Sequence, residues 1–353
     1  MKKLKEIMIV LLLLTIIVNC TVRENANVKS QIDLVHNKGE QKVDVLVDGE
    51  LFTSFIYTDK LSVLKKPVLY PLVSAKGVTV TRGYPLNPRG GERTDHPHHI
   101  GAWLNYGDVN GLDFWGNSDA MPPEKAEVLG TIRLEKIDTI QSGENSGRLE
   151  VTCNWINFEG KVILKENTEF IFSENDGKRV IDRITTLTAL KESVNFNDTK
   201  EGMLGIRVAR QLEHPSDKPV VLSDVHGQKT DVPVLDNTGV TGQYLSSEGI
   251  EGMDVWGKRA KWIALSGTID SNDVTIVIMD SPSNAGYPTY WHARGYGLFA
   301  ANPLGQKTFS KGEKEMNLTL NPGENVIFTF RIIIIDEKSS KDQLEEEYND
   351  FIK

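Results

Sequence analysis

Short runs of alternating apolar residues, separated by turn residues, occupy most of this 353-residue chain. Val43, Val45 and Val47 alternate up to Asp48-Gly49, and a second alternating run leads away from that pair. An Asp-Gly pair between two such runs is a strong hairpin signal. Similar runs follow at 78–81, 148–156, 161–172, 180–190, 261–265, 274–279 and 325–335. No series of long amphipathic helices alternates with them, so the pattern predicts an all-β fold, a large antiparallel β-sandwich.

One helix is predicted, at the end of the chain. Ser340 and Gln343 have the spacing of a capping box. The apolar residues after them recur on one helical face: Leu344, Tyr348, Phe351 and Ile352. We expect this short helix to pack outside the sheets. Because no low-complexity linker interrupts the body, residues 43–353 are predicted to form one β-sandwich domain.

The N-terminus has the features of an export signal. Three lysines precede an apolar run at 7–18, which is too short to span a bilayer but suits the core of a signal peptide. Cys20 follows closely, so we predict a lipoprotein signal at residues 1–19, lipidation of Cys20 and a tether at 20–42. The protein would then be exported to the cell envelope, in the periplasm or at the outer membrane, and held at a membrane by its lipid alone.

Acidic residues outnumber basic ones in this chain. There are 49 acidic and 40 basic residues, and the formal net charge is −9. A surface of this sign repels nucleic acid and anionic lipid headgroups. We therefore expect no nucleic-acid partner.

Three of the seven histidines lie within four positions, directly after an acid. They are His96, His98 and His99, and the acid is Asp95. Imidazoles titrate near neutrality and bind metals, so this cluster favours a proton-transfer site or a metal site. We predict catalytic roles for all four residues. Alternatively, His96 and His98 could share a divalent metal such as Zn²⁺ or Fe²⁺ with a third ligand from elsewhere in the chain.

Acidic and aromatic side chains follow the histidines. The sequence at 113–116 reads Asp-Phe-Trp-Gly. Acids beside aromatics commonly hold polyhydroxylated ligands, through hydrogen bonds and through stacking on sugar faces. We predict substrate contacts from the following side chains in this region: Arg93, Trp103, Asn105, Asp113 and Trp115.

A second candidate segment lies at 197–208. Glu201 precedes a glycine, where a carboxylate could approach a ligand closely, and Arg207 follows on the next run. By itself this segment is more typical of an ordinary turn with a surface ion pair. We predict a catalytic role for Glu201 and a substrate contact from Arg207 because of the other two segments.

The third segment, at 284–305, is dense in aromatic residues, glycine and proline. It is typical either of a packed corner of a sandwich or of a platform on which sugars stack. A histidine and an arginine within it favour a site. We predict a catalytic role for His292 and substrate contacts from Tyr290, Trp291 and Arg294.

Long segments of the chain resemble the PmoA-like family of bacterial proteins, which carries the label methane oxygenase PmoA but has no known function. The matching segments are 66–71, 81–85, 95–101 (Asp-His-Pro-His-His-Ile-Gly), 107–115, 198–202 and 291–297. The resemblance covers nearly the whole body and implies an exported bacterial lipoprotein. Methane oxidation is rejected, because methane monooxygenase subunits of that name are multi-span membrane proteins and no apolar run after residue 18 could span a bilayer.

The histidine segment is also similar in style to the sugar-binding histidines of aldose-epimerase-like sandwiches. A galactose-mutarotase-like supersandwich is therefore one architecture open to this chain.

The leading hypothesis is an exported enzyme that acts on a carbohydrate by hydrolysis, elimination or epimerisation. His96 or His98 would donate a proton, and Glu201 or Asp95 would accept one. Arginines would fix the substrate and tryptophans would stack on it: Arg207, Arg294, Trp103, Trp115 and Trp291. Two alternatives stay open, a metalloenzyme with histidine ligands and a non-catalytic surface lipoprotein that binds a glycan.

Overall fold

A computed structural model describes residues 29–353. The predicted signal peptide at 1–19, the lipidation site Cys20 and the first part of the tether lie outside the described residues. The rest of that tether belongs to the folded body, because residues 31–37 form a strand whose alternate side chains, Ile32 and Leu34, are buried. The folded body therefore begins by Gln31 rather than at residue 43.

Strands dominate the described chain. In chain order they are β1 (Gln31–Asn37), β2 (Lys42–Val47), β3 (Glu50–Ile56), β4 (Val68–Leu69), β5 (Ala102–Tyr106), β6 (Thr131–Gln141), β7 (Gly143–Glu144), β8 (Ser146–Ile156), β9 (Val162–Asn175), β10 (Lys178–Ala189), β11 (Val194–Phe196), β12 (Gly202–Arg207), β13 (Val220–Ser223), β14 (Lys229–Val234), β15 (Gln243–Ser246), β16 (Trp262–Ile269), β17 (Asn272–Asp280), β18 (Tyr290–Trp291), β19 (Leu298–Asn302), β20 (Leu318–Leu320) and β21 (Asn325–Ile335). Two α-helices are α1 (Gln306–Phe309) and α2 (Lys341–Phe351), and 3₁₀ turns span Pro123–Val128, Arg210–Leu212 and Gly252–Val255.

The strands form two large antiparallel sheets and two small strand pairs. The nine-stranded sheet has the order β18-β19-β12-β5-β4-β3-β2-β1-β7, and the eight-stranded sheet has the order β15-β16-β17-β21-β10-β9-β8-β6. Apolar side chains from both sheets share one core. This arrangement confirms the predicted all-β fold, a large antiparallel β-sandwich.

The hairpin predicted at Asp48-Gly49 joins β2 to β3. Asp48 has φ of +51° and Gly49 has φ of +84°, which are the positive values that a tight two-residue hairpin turn requires. Val47 pairs with Glu50 directly across the turn. Turn chemistry and strand alternation therefore set the register of these strands together.

Alternation along each strand decides which side chains reach the core between the sheets. On β5, Ala102, Leu104 and Tyr106 join that core. Trp103 faces the other way and packs on the outer face of the nine-stranded sheet. It lies over Gly205 of β12, where a Cβ atom would come within 2.7 Å of the indole ring. A glycine at that position is what lets the large ring sit flat on the sheet.

The predicted C-terminal helix is confirmed as α2. The Ser340 hydroxyl accepts a hydrogen bond from the backbone of Gln343, and the Gln343 side chain accepts one from the backbone of Ser340. Leu344 and Tyr348 are buried against the outer face of the eight-stranded sheet, in a cluster that includes Trp262. Among residues 29–353, no helix is long and apolar enough to span a membrane.

Candidate functional site

Four neighbouring strands bring the three candidate segments together. The histidine segment leads into β5, and the segment with Asp113 follows that strand. Glu201 immediately precedes β12, while His292 and Arg294 lie between β18 and β19. Because these strands are consecutive in the order β18-β19-β12-β5, segments that are distant in sequence meet at one end of the nine-stranded sheet.

The segments enclose a cavity of about 450 Å³, which we call the central pocket. Small-molecule sites span roughly 300–1,000 Å³, so this volume suits a small ligand. The pocket includes every predicted catalytic residue except Asp95. Its walls are formed by His96, His98, His99, Asp113, Trp115, Gly116, Lys200, Glu201, His292, Arg294 and Tyr296.

A buried arginine, which the sequence did not reveal as a site residue, holds the histidine segment in place. Arg82 donates from Nη1 to the carbonyl oxygen of Asp95 (2.8 Å) and from Nη2 to those of His96 and His99 (both 3.0 Å). His96 has φ of +44°, a left-handed conformation that is costly for a residue with a side chain. The hydrogen bonds from Arg82 stabilise this turn, so it keeps three imidazoles together.

His99 presents a hydrogen-bond donor with no protein partner. Its Nδ1 lies 3.3 Å from Nη1 of Arg207, and a guanidinium can only donate, so Nδ1 must accept. Burial, followed by the nearby His98 and Arg207, lowers the pKa of His99 well below its ordinary value, so the ring is neutral. The proton of this neutral ring is therefore on Nε2. That atom is buried and has no partner among the described residues.

His292 presents the opposite tautomer. Its Nδ1 lies 2.8 Å from the carbonyl oxygen of Lys200, which can only accept, so Nδ1 carries the proton. Burial lowers the pKa of His292 to about 4, although Glu201 partly opposes this, so the ring is neutral near pH 7. Its Nε2 is then a lone-pair acceptor, with no hydrogen-bond partner among the described residues.

Two carboxyl groups with different surroundings line the pocket. Asp113 accepts hydrogen bonds at Oδ1 from the backbone amides of Trp115 and Gly116 (both 2.8 Å). Burial raises the pKa of Asp113 despite those two bonds, and the negative charge of Glu201 adds to the rise. Glu201 instead forms an ion pair with Lys200, and its Oε2 lies 3.9 Å from Nδ1 of His292. The pocket thus combines one carboxyl group with a raised pKa and one carboxylate paired with a cation.

The other two histidines occupy the rim. Burial, followed by the charge of Lys66, lowers the pKa of His98 far below its ordinary value, so His98 is neutral and is not the predicted proton donor. His96 is more open: its side chain is 41% exposed, and its Nδ1 lies 3.3 Å from Oδ2 of Asp95. Its ring stacks on Tyr296, with ring centroids 5.0 Å apart.

The residues present do not fit the metal site predicted at His96 and His98. Among residues 29–353, no three His, Cys, Asp or Glu side chains are arranged to hold a metal ion. Zinc sites in proteins need at least three protein ligands. We therefore derive no step that depends on a metal.

Four of the predicted substrate contacts lie in the core instead. Trp103 and Asn105 are both 0% exposed; Trp103 donates from Nε1 to Oδ1 of Asn105, which in turn bonds the backbone of the next segment. Trp291 is also 0% exposed and donates from Nε1 to a backbone oxygen. Tyr290 stacks on Phe309 at 5.4 Å. None of the four lines the pocket, but Trp103 supports it directly, because its ring stacks on His99 with centroids 5.2 Å apart.

Three other predicted residues form ion pairs behind the pocket wall. Asp95 accepts from Arg207 (2.5 Å) and from Arg82 (3.0 Å). Burial alone would raise the pKa of Asp95, but the hydrogen bond with His96 and the two guanidinium charges hold that pKa below its usual range. Asp95 is therefore a poor proton acceptor and acts as a structural anion. Arg93 is likewise paired, with a buried glutamate (2.6 Å).

Sequence reasoning missed several residues around the pocket. Lys66 is 5% exposed, donates to the carbonyl oxygen of His98 (2.8 Å) and has its pKa lowered to about 7 by burial. Tyr296 and Lys200 line the cavity directly. Both lie inside segments that the sequence had singled out. Lys66 and Arg82 donate hydrogen bonds to backbone carbonyl oxygens, and no pattern of side chains in the sequence predicts such contacts.

A larger cleft of about 600 Å³ lies elsewhere on the surface, next to Lys76, Arg89 and Arg210. Its two arginines are already committed, Arg89 to Glu92 (2.7 Å) and Arg210 to Glu213 (2.7 Å). It contains no histidine, so the central pocket is the better candidate for chemistry.

Comparison with known proteins places the chain among proteins of unknown function. A family model described as "Family of unknown function (DUF6807)" matches residues 42–349. This match confirms the expected membership of a family without known function, and its description carries no methane-oxygenase label. No curated protein matches the chain.

Solved structures resemble the fold only distantly. A GH36 α-galactosidase, AgaB from Geobacillus stearothermophilus, has 11% identity and a TM-score of 0.40, with 86% of this chain and 41% of that chain covered. A galactose 1-epimerase from Lactobacillus acidophilus NCFM has 10% identity and a TM-score of 0.33, with 89% and 100% covered. The chain thus spans about two fifths of the first of these enzymes. Similarity of this degree carries no functional conclusion.

Proposed function

This chain belongs to the DUF6807 family, and we propose that it is an acid–base enzyme that acts on a carbohydrate. The observation that carries the proposal is the pair of neutral histidines with opposite tautomers in one pocket. His99 offers a hydrogen-bond donor at Nε2, and His292 offers a proton acceptor at Nε2. Neither atom has a hydrogen-bond partner among residues 29–353.

The carboxyl groups extend this pair into a proton relay. Nε2 of His292 takes a proton from the substrate, and the nearby carboxylate of Glu201 stabilises the imidazolium that forms. Asp113, whose pKa burial raises, returns a proton from Oδ2 to the oxygen that departs or re-forms. Nε2–H of His99 holds a substrate oxygen in place. Hydrolysis, elimination and epimerisation all use a proton donor and a proton acceptor beside the sugar.

The surroundings of the pocket favour a sugar over an apolar ligand. Donors and acceptors converge on it from several segments, as sugar hydroxyls require. The ring of Trp115 also lines the pocket. Aromatic rings commonly pack against the C–H faces of sugars. We also propose that the protein is exported and anchored through Cys20, because extracellular glycans would then be within its reach.

The proposal is tested by turnover of a panel of oligosaccharides, with products analysed by mass spectrometry and NMR. His292→Asn keeps a donor for the carbonyl oxygen of Lys200 but removes the base. We expect it to lower kcat/KM about 10²- to 10⁴-fold while the free energy of unfolding changes little. His226→Asn is the matched control, because His226 is an exposed histidine in a distant turn. Its turnover should equal that of the wild type.

The panel also separates catalysis from binding. Saturable binding of a glycan that is recovered unchanged after long incubation would assign the pocket to glycan capture instead of chemistry. If no glycan in the panel binds or reacts, the carbohydrate proposal fails.

A further inference from the structure

A second cleft adjoins the central pocket. It measures about 470 Å³ and shares Arg294 and Tyr296 with the pocket, so these two side chains form the boundary between the cavities. The cleft is also lined by Arg93, Asp217 and Trp256. Arg294 and Tyr296 can therefore contact a ligand in either cavity.

Arg294 differs from the other cations around the two cavities. Arg93 pairs with Glu213, Arg207 pairs with Asp95, and Lys200 pairs with Glu201. For Arg294, by contrast, residues 29–353 supply neither an ion-pair partner nor a side-chain hydrogen bond. Its guanidinium lies instead over aromatic rings, 5.5 Å from the centroid of Trp256 and 5.8 Å from that of Tyr296.

The aromatic contacts leave the N–H donors of Arg294 free to form hydrogen bonds. A cation–π contact uses the flat face of the guanidinium, whereas the N–H donors lie in its plane. An arginine held by its faces can still bind an anionic group through two parallel N–H bonds. Carboxylate and sulfate groups on sugars have the geometry for such a bidentate contact.

Trp256 supplies the second element of the cleft. It is 37% exposed, although large aromatic side chains are elsewhere mostly buried in this fold. Its ring is fixed from one side by Phe309, with centroids 5.6 Å apart at 72°. An exposed indole with a fixed orientation suits stacking on a sugar face.

We propose that the ligand is an acidic oligosaccharide that spans both cavities, with a carboxylate or sulfate held by Arg294 and a neighbouring sugar on Trp256. This inference rests on the carbohydrate function proposed above. The ionised acids that line the cavities are Glu201 in the pocket and Asp217 in the cleft. They repel an anion from both interiors, so they favour its position at the boundary.

The test uses the intact protein and matched pairs of tetrasaccharides, each uronate with its methyl ester and each sulfated sugar with its unsulfated form. Affinity is measured by calorimetry. We expect an acidic member to bind about tenfold or more tightly than its neutral partner. Arg294→Gln should abolish this preference, and affinity for the neutral member should change little. Comparing the uronate pairs with the sulfate pairs identifies which acid is recognised.

Matched variants make the result specific. Lys258→Gln removes a positive charge from an exposed position that lines neither cavity, and it should keep the full preference. Trp256→Ala should lower the affinity for tetrasaccharides about tenfold and leave the affinity for monosaccharides unchanged. Equal affinity for acidic and neutral members in the wild type, or an unchanged preference in Arg294→Gln, overturns the inference while the carbohydrate function stands. Binding of no member overturns both.

Discussion

Two buried polar clusters in this sandwich have similar composition and different states. In the first, which we call the closed cluster, Glu166 accepts hydrogen bonds from Arg183 (2.8 Å), Trp155 (2.8 Å) and Thr168 (2.7 Å). Nε of Arg183 also donates to Thr185 (3.0 Å). The cavity beside this cluster measures only about 10 Å³. Among residues 29–353, none of its polar side-chain atoms is fully buried without a hydrogen-bond partner.

The central pocket is the second cluster, and there the fold leaves polar atoms without partners. Nε2 of His99 is buried and unbonded, and the side chain of Arg294 has no acceptor among residues 29–353. Leaving a buried polar group unpaired costs about 1–3 kcal/mol, and in the central pocket a bound ligand can offset that cost. The two clusters therefore differ less in the charged residues they contain than in whether polar side-chain atoms remain free to bond a ligand.

The largest expected effect comes from breaking the closed cluster. Glu166→Ala leaves the guanidinium of Arg183 buried and unpaired, so we expect the free energy of unfolding to fall by about 3–5 kcal/mol in urea titrations. Glu150→Ala, on the neighbouring strand β8, removes a carboxylate from a partly exposed pair with Arg148 and should cost about 0–1 kcal/mol. Equal losses in the two variants would contradict the structural role of the closed cluster.

The second prediction concerns the pH dependence of stability, to which His292 of the central pocket contributes. An unfolded histidine has a pKa of about 6.5, and burial lowers that of His292 to about 4 in the folded protein. Between these values the unfolded chain binds a proton that the folded chain does not, so stability falls as the pH is lowered. At pH 4, this proton uptake by the unfolded chain at His292 lowers the free energy of unfolding by about 3 kcal/mol relative to pH 7.

His292→Asn isolates this contribution, because asparagine does not titrate. Urea titrations between pH 7 and pH 4 should show a shallower loss of stability for the variant than for the wild type. His98 and His99, whose pKa values burial also lowers, should produce the loss that remains. An identical pH dependence in the two proteins would show that His292 is not buried and neutral.

Variants of His99 test the unpaired donor of the central pocket and should change the stability least. His99→Asn keeps an acceptor for Arg207 but removes the donor that faces the pocket, so the free energy of unfolding should change by only about 1 kcal/mol. His99→Gln instead retains an N–H near the position of Nε2. We expect glycan affinity to fall about tenfold in the Asn variant and less in the Gln variant. A loss of stability as large as that of Glu166→Ala would make His99 a structural residue.

The sandwich was predictable because its signals are local. Alternation around Asp48-Gly49 and the cap at Ser340 each depend on a few adjacent residues. The convergence of His99, Glu201 and His292 depends instead on the order of β5, β12 and β19 in the sheet, which no local pattern encodes.

The roles of individual side chains were harder to predict for the same reason. Trp103 and Trp291 are of a residue type that often stacks on sugars, yet both are fully buried, and the space above Gly205 lets Trp103 lie flat on the sheet. Asp95 is of a residue type that can act as a catalytic base, but two buried guanidinium groups keep its carboxylate ionised and weakly basic. Arg82 was missed because it acts on carbonyl oxygens, which every sequence contains.

The strand order of the larger sheet also sets the distance between the opening of the central pocket and the strand at which the N-terminal segment enters the sheet. The first strand, β1, is four positions from β5 and seven from β18. At about 4.8 Å per strand, this separation is roughly 19–34 Å. If the chain is anchored at Cys20, as we propose, it enters the sheet at β1, on the side remote from the opening. Bulky polymers in the surrounding medium can then approach it without crossing the lipid surface.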